Sequence, residues 1–231
     1  MKKLLFAILL IPAVAFAAST GYRLDTSPHD LRDLVSLQSG ARTYVNYCLG
    51  CHGIQFMRYK GLTELGLSEA QIKDHLMFGA DKVGEPMKVA FDPKESKAWF
   101  GVTPPDLSVV ARSRGADWLY TYLRTFYRDP KTITGWNNAV YPNVAMPHAL
   151  WTLQGERGWD AKEQRLTEIS KGTQAAAEYD ATVRDLVNFL VYVGEPAAAD
   201  RKTIGIMVLF VLSVLFIFAY LLKKEFWKDV K

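Results

Sequence analysis

The residues best suited to chemistry lie in the string YCLGCH at positions 47–52, which is the attachment signature of c-type haem. Two thiols one helical turn apart can reach the two vinyl groups on one edge of a porphyrin, and the next residue then projects its imidazole toward the iron. Because the signature occurs once in the sequence, we expect one haem c. Cys48 and Cys51 would bind it covalently, and His52 would ligate the iron.

Two other uses of a Cys-x-x-Cys pair fit the sequence less well. A thioredoxin-like dithiol follows a strand and begins a helix, whereas the residues before Cys48 repeat at helical spacing. One face of that helix would carry Leu37, Ala41, Tyr44, Val45, Cys48 and His52. A zinc site would need more thiolate or imidazole ligands, and the histidines outside the motif are His29, His75 and His148.

An electron carrier with six-coordinate iron needs a second axial ligand on the opposite face of the haem. The candidates are Met77, Met87 and Met146, with the three histidines as rivals. Met77 falls in a predicted helix whose apolar face belongs to the core. Met146 lies between two prolines that restrict the backbone, and such a stiff loop can hold a thioether against iron. We therefore expect Met146, with His148 as the main rival and Met87 still open.

Helical periodicity predicts an all-α domain with long loops around these residues. The predicted helices are Leu34–Cys51, Ser68–Phe78, Asp117–Tyr127 and Asp180–Val193. Ser68 is the expected N-cap of the second helix, and Gly79 is expected to end it. The stretch 129–151, rich in Pro, Gly and Asn, is predicted to be a loop and contains Met146.

Apolar segments near both ends indicate an exported, anchored domain. Residues 1–17 combine a basic start, an apolar stretch and small residues, which predicts a signal peptide cleaved after Ala17. Residues 204–222 contain no charge and, at ~1.5 Å per residue, are long enough to cross a bilayer. We expect a periplasmic domain (18–200), a transmembrane helix (204–222) in a bacterial inner membrane, and a cytoplasmic tail (223–231) rich in lysine.

The charge balance argues against a nucleic-acid partner. The whole chain has 28 basic and 24 acidic side chains, but residues 18–200 contain 20 basic and 22 acidic ones. The positive balance therefore comes from the two ends of the chain, and the domain lacks the basic surface that nucleic acid requires. A mildly acidic exported domain instead favours a basic protein partner.

Four stretches, in order, make the chain resemble the cytochrome c1 family. They are CLGCHGIQFMRYKGL (48–62), PPDLSVVARSR (104–114), YPNVAMP (141–147) and DLVNFLVYVGEPAAADRK (185–202). The resemblance implies a class I cytochrome c-like haem domain with one C-terminal transmembrane helix. It also implies Cys48 and Cys51 as thioether sites, with His52 and Met146 as axial ligands.

Two further site residues follow from this resemblance. It implies that Arg114 lies against a haem propionate, and a guanidinium fork is well suited to a carboxylate. It also implies that Pro105 packs beside the porphyrin on the His52 side. A backbone carbonyl there can accept a hydrogen bond from the imidazole and make it a stronger donor to iron.

The function that the resemblance implies is one-electron transfer, by a subunit without chemistry of its own, in the respiratory cytochrome bc1 complex (quinol:cytochrome c oxidoreductase). The implied partners are cytochrome b, the Rieske iron–sulfur protein as electron donor, a mobile cytochrome c as acceptor and membrane lipid, in a dimeric complex. Two alternatives stay open. One is a free-standing, membrane-tethered cytochrome c that feeds a terminal oxidase, and the other is a haem peroxidase or sensor with an open sixth position.

Overall fold

Helix α1, Leu34–Tyr47, leads directly into the Cys-x-x-Cys-His motif. A computed structural model describes residues 21–89 and 92–229, so the predicted signal peptide, residues 1–17, lies outside the described residues. Asp33 caps the start of α1, because its side chain accepts a hydrogen bond from the Ser36 amide (3.0 Å). The helix ends at Tyr47 rather than at Cys51, and the motif continues as a turn in which the His52 amide donates to the Cys48 carbonyl (2.8 Å).

Helices carry much of the described chain. After α1 they are α2 (Glu69–His75), α3 (Pro93–Phe100), α4 (Val110–Arg114), α5 (Ala116–Arg124), α6 (Trp151–Gln154), α7 (Ala176–Gly194) and α8 (Arg201–Phe226). Two 3-10 helices, Tyr59–Leu65 and Pro196–Ala199, connect them. The predicted N-cap of α2 is confirmed, since Ser68 and Gln71 form a reciprocal capping box. The helix ends at His75, however, one turn before the predicted stop at Gly79.

Strands also occur in the described residues, so the prediction of an all-α domain is not confirmed. Three antiparallel pairs form: β1 (Ile54–Arg58) with β2 (Pro86–Met87), β3 (Phe126–Arg128) with β4 (Trp136–Asn138), and β5 (Gly155–Asp160) with β6 (Arg165–Lys171). The strands of the first two pairs are short, and the β5–β6 hairpin is mostly polar and partly exposed. Hydrophobic alternation, the signal that identifies a half-buried strand, is therefore weak in all of them.

The core forms where α1 crosses α7. The predicted apolar face of α7 is buried, with Val183, Leu186 and Val187 at 0% exposure. The two backbones come close at Gly40, where an added Cβ would lie 2.0 Å from the Asp185 carbonyl oxygen. The absence of a side chain at this glycine is therefore what allows the helices to cross.

We expect Gly40→Ala to lower the free energy of unfolding by at least about 2 kcal/mol, because the new methyl group must push the two helices apart. Denaturant unfolding of the full chain in detergent, followed by circular dichroism, measures this loss. Gly79→Ala is the matched control, since an added Cβ there meets nothing within 4 Å. If the two variants unfolded at the same denaturant concentration, the close approach at Gly40 would not limit stability.

Helix α8 is long and apolar enough to cross a membrane, with a mean hydropathy of 2.8 in its most apolar window. None of that window is buried against the rest of the described chain. The helix contains the whole of the predicted span 204–222 and continues through Lys223 and Lys224 to Phe226. It is therefore the candidate membrane helix of this chain, as the run of uncharged residues predicts.

Candidate functional site

Two connected cavities lie beside the Cys-x-x-Cys-His motif, with volumes of about 390 and 110 Å³. They share part of their lining, namely Cys48, His52, Val102, Pro105, Ala145 and Met146. The larger cavity extends inward to apolar residues of α5 and α7. The smaller one is bordered by Cys51 and by residues of the 100–105 and 145–149 loops. Such an apolar site with a few convergent donors is typical of a cofactor pocket.

The two cysteines are free thiols at one border of this site. Cys48 is the C-cap of α1, and a turn brings Cys51 onto the surface three residues later. Burial and the nearby Cys51 raise the pKa of Cys48 to about 12, and burial also raises the pKa of Cys51. A thioredoxin-like dithiol also needs a helix that begins at its first cysteine, whereas here α1 ends at Tyr47 and Cys48 is its C-cap, so the structure argues against that alternative.

His52 has one ring nitrogen engaged and the other available. Its Nδ1–H donates to the Pro105 carbonyl oxygen (2.7 Å), which leaves the lone pair of Nε2 for a metal. Burial lowers the pKa of His52, against the opposing effects of this hydrogen bond and of Asp106. The buried hydroxyl of Tyr44 donates to the His52 carbonyl and so connects His52 to α1. His52 is thus held as a neutral, oriented donor.

The Pro105 carbonyl is itself held in place by its neighbour. Asp106 accepts hydrogen bonds from two backbone amides, those of Gln55 through Oδ2 and of Ser108 through Oδ1, both at 2.9 Å. The bond from the Gln55 amide links the 104–108 loop to β1, the strand that follows the motif. The position of the acceptor for His52 is therefore set by hydrogen bonds between segments about fifty residues apart.

Met146 lines both cavities, and its sulfur is hydrogen-bonded. The Tyr122 hydroxyl donates to Met146 Sδ (3.3 Å), and burial raises the pKa of Tyr122, which keeps that hydroxyl protonated. The Tyr122 ring stacks on Trp118, with centroids 4.7 Å apart. Two residues of α5 therefore support the thioether.

His148, the main rival, points away from the site. It is 2% exposed and does not line either cavity. Its ring stacks on Phe126 (4.8 Å between centroids), and its Nε2 lies 2.7 Å from Gln154 Oε1. Burial lowers the pKa of His148 to about 4, so the imidazole is neutral.

The remaining candidates for the second ligand also lie away from the two cavities. Met87 is fully buried in the β1–β2 pair. Met77 packs at the edge of the core, as expected from its sequence position. His75 lines a separate groove between α1 and α2, and His29 lies within hydrogen-bonding distance of the Ser27 carbonyl. Of the candidates considered, the structure brings only Met146 to the site with His52.

Arg114 lies on the wall of the larger cavity. Its guanidinium lies over the rings of Trp118 (5.0 Å) and Tyr141 (5.7 Å). In the described part of the chain it forms no ion pair with a carboxylate. A positive charge is therefore available on this wall for a negatively charged group of a ligand.

These residues fit a covalently bound haem. Two free thiols, a neutral imidazole with an available nitrogen and a thioether surround an apolar cavity, and this donor set is that of a c-type centre with His/Met ligation. Outside this set, residues 21–89 and 92–229 contain no group of three or more His, Cys, Asp or Glu that could hold a metal ion. The chemistry of the donors thus points to iron in a porphyrin rather than to a bare metal ion.

Several residues that shape the site were not identified from the sequence as site residues. Asn137 and Asn138 hold the loop that carries Met146, and an Asn-Asn pair in a Pro- and Gly-rich stretch is a recognisable turn signal. The bond from the Gln55 amide to Asp106 has no such signal, because the two residues are about fifty positions apart. The bond from Gln154 to the Arg124 carbonyl has none either, because these residues are thirty positions apart.

Comparison with known proteins finds a matching family and relatives similar over nearly the whole chain. The sequence model of the Cytochrome C1 family matches residues 26–230. A protein of Allochromatium vinosum named cytochrome c1 is 44% identical over 243 residues, covering 100% of both chains. A protein of Nitrosomonas europaea named ammonia monooxygenase gamma subunit is 49% identical over 230 residues, covering 100% of this chain and 98% of the other.

Among solved structures, a chain of a hyperthermophilic respiratory Complex III is similar. The matched region covers 100% of this chain and 95% of that one. The two are 18% identical, with a TM-score of 0.47. A likeness of this degree carries no argument about function.

Proposed function

The chain belongs to the cytochrome c1 family, and on that premise we propose that it is the one-electron carrier subunit of a respiratory cytochrome bc1 complex. Family membership makes it a haem protein of electron transport. The observation that carries the proposal is the placement of His52 and Met146 on the lining of one apolar site bordered by Cys48 and Cys51.

In this proposal the haem is bound by four residues. Cys48 and Cys51 form thioether bonds to it, while His52 and Met146 provide the axial ligands. When bound, the haem supplies an iron that accepts and releases one electron. Arg114 would pair with a propionate, which supplies the carboxylate that this arginine lacks within the described chain. Pro105 would lie beside the porphyrin and hold the His52 imidazole.

The residues around the site favour a high reduction potential. Met146 is a neutral thioether, and His52 is a neutral imidazole, so neither offsets the positive charge of the metal. An apolar cavity further disfavours the more positively charged oxidised form. Such a centre would accept electrons from a Rieske iron–sulfur protein and pass them to a soluble or membrane-bound cytochrome c.

The cellular location that we propose follows from the apolar segments near the two ends of the chain. The predicted signal peptide would export residues 18–200 as a class I cytochrome c-like domain on the periplasmic side, and α8 would anchor it to the inner membrane. Four lysines at positions 223, 224, 228 and 231 suit the cytoplasmic end. In the membrane, α8 would contact cytochrome b and lipid within a dimeric complex.

Purification of the full chain in mild detergent tests this function. We expect b-type haem and an iron–sulfur protein to co-purify, and we expect quinol to reduce the c-type haem of the preparation. A free-standing tethered cytochrome c would instead purify without b-type haem. A peroxidase or sensor would bind carbon monoxide readily in its reduced state, because its sixth position is open. Either result would contradict the proposal.

The hydrogen bond from Tyr122 to the Met146 sulfur leads to a separate prediction. This bond draws electron density from the thioether, so its loss should favour the oxidised iron and lower the reduction potential. A neutral hydrogen bond contributes about 0.5–1.5 kcal/mol, which corresponds to about 20–60 mV for one electron. We expect Tyr122→Phe to lower the midpoint in a redox titration by this amount.

The control for this titration is Tyr192→Phe. Tyr192 also loses a side-chain hydrogen bond, to Glu64 (2.8 Å), but it does not line either cavity. Its midpoint should match that of the unmodified protein. Equal shifts in both variants would mean that the Tyr122 bond has no specific effect on the iron.

A further inference from the structure

The segment that carries Met146 has few backbone hydrogen bonds to hold it. It lies in the loop 139–150, between β4 and α6. Within the described chain, the backbone amides of residues 144–149 donate to no backbone carbonyl, and the one backbone bond that reaches this segment is from the Trp151 amide to the His148 carbonyl (3.3 Å). One of these residues is Pro147, which has no N–H to donate. The position of the thioether therefore depends on side-chain contacts.

The first half of the loop is held by two buried asparagines. Asn138 Oδ1 accepts from the amide of Val140 (2.9 Å), and Asn137 Oδ1 accepts from the amide of Asn143 (2.8 Å). Asn138 Nδ2 donates in turn to the Tyr122 carbonyl (2.8 Å), which attaches this half to α5. These bonds end at Asn143, three residues before Met146.

The second half of the loop is held by His148. Gln154 Nε2 donates to the Arg124 carbonyl (3.0 Å), so its Oε1 faces His148 and accepts from Nε2–H (2.7 Å). The proton of the neutral imidazole is therefore on Nε2. His148 is 2% exposed and Gln154 is 9% exposed. This buried bond links the loop, two residues after Met146, to Gln154 of α6, and the bond from Gln154 to the Arg124 carbonyl continues the link to the C-terminal end of α5.

The His148 ring is also fixed by packing. It stacks on Phe126 at an interplanar angle of 3° and meets the edge of Trp136 at 78°, with centroids 5.1 Å apart. Phe126 belongs to β3 and Trp136 to β4, so the ring is held against that strand pair. The hydrogen bond to Gln154 sets the direction in which Nε2 of the stacked His148 ring points.

We propose that His148 and Gln154 are a positioning pair that keeps Met146 against the haem iron, and that the sixth position opens when their hydrogen bond is lost. The proposal rests on the function proposed above, in which Met146 is the distal ligand. Removing one partner leaves a buried polar group without a hydrogen bond, which destabilises the closed position of the loop. Among the described residues, Met146 itself makes no backbone hydrogen bond, and the backbone bond that reaches the 144–149 segment is at His148. Outward movement of the part that carries Met146 is therefore the simplest way to bring the unpaired group into contact with water.

Carbon monoxide binding to the reduced full-length protein in detergent measures the opening directly, since the gas binds only where Met146 has left the iron. In Gln154→Leu and in His148→Phe, we expect the apparent affinity for carbon monoxide to rise at least about tenfold, equivalent to about 1.4 kcal/mol. The methionine–iron absorption band of the oxidised protein should weaken in parallel. The haem should remain covalently bound. His148→Phe retains an aromatic ring for the stack, so its effect isolates the hydrogen bond.

Two controls separate positioning from a general loss of stability. Gln154→Glu keeps an oxygen that accepts the Nε2–H of His148, so it should open the site less than Gln154→Leu does. Tyr192→Phe loses a hydrogen bond far from the loop and should not change carbon monoxide binding. The proposal is overturned if Gln154→Leu also binds the gas like the unmodified protein, or if Gln154→Glu opens the site as much as Gln154→Leu.

The same measurement distinguishes this proposal from the proposed function. If the unmodified protein already binds carbon monoxide readily, its iron has no distal ligand, and the function and the positioning role both fail. If the unmodified protein resists the gas and the Gln154→Leu and His148→Phe variants do too, the function stands and only the positioning role fails.

Discussion

In Met146→His, we expect the reduction potential of the bound haem to fall by about 200 mV or more, within the ~0.8 V range that axial ligation spans in haem proteins. An imidazole is a stronger donor than a thioether and stabilises oxidised iron. The substitution also removes the sulfur to which Tyr122 donates. A redox titration followed at the absorption band of the reduced haem measures the midpoint. The haem should stay on the chain, because Cys48 and Cys51, the proposed attachment sites, are unchanged in this variant.

Met87→Leu is the control for this substitution. Met87 is fully buried in the β1–β2 pair and does not line either cavity, so its replacement should leave the midpoint unchanged. An unchanged midpoint in Met146→His would show that the distal ligand lies elsewhere in the chain. A shift in Met87→Leu equal to that in Met146→His would show that the potential responds to packing in general rather than to ligation.

Replacing both cysteines, Cys48→Ser with Cys51→Ser, should abolish the covalent attachment of the haem. Without thioether bonds, the haem is held only by axial ligation and packing. Acid protonates the imidazole of His52 and an organic solvent removes the apolar packing, so acid–organic extraction should strip all haem from the variant. The unmodified protein should keep its haem through the same treatment, as seen by haem absorbance of the precipitated chain.

The single variant Cys51→Ser provides the intermediate case. It keeps Cys48, the half-buried thiol at the C-cap of α1, and one thioether is enough to retain the haem after extraction. Haem that stayed with the double variant would contradict attachment through sulfur. Loss of haem from the unmodified protein would contradict it equally.

Local features of the fold could be predicted from the sequence. The course of α1 follows from apolar residues at helical spacing, and the start of α2 follows from the capping box at Ser68. The candidate membrane helix α8 follows from a run of nineteen uncharged residues. In each case the residue pattern that predicts the helix lies within the helix or a few residues from it. The hairpin β5–β6 was missed because its strands are mostly polar and lack the alternation that would identify them.

The sequence alone does not show whether Met146 or His148 faces the cavity as the candidate second axial ligand. The two residues are two positions apart in a loop without periodicity, so nothing in the sequence shows which side chain faces the cavity. In the structure, Gln154 and Phe126 hold His148 on one side of the loop, and Tyr122 contacts Met146 on the other. That Met146 ligates iron stays a prediction, but its place on the cavity wall is a property of the tertiary structure.

Covalent haem attachment could be predicted from the sequence alone, because the two thiols and the imidazole of the motif lie within five consecutive residues and their spacing matches one edge of a porphyrin. The candidate membrane helix could be predicted in the same way, because nineteen uncharged residues are enough to indicate one. The surroundings of the motif, by contrast, depend on residues that the tertiary structure brings to it. The Pro105 carbonyl, the thioether of Met146 and the close approach at Gly40 involve residues about 50 to 150 positions apart. Such contacts depend on how the whole chain packs, and no local pattern of residues specifies them.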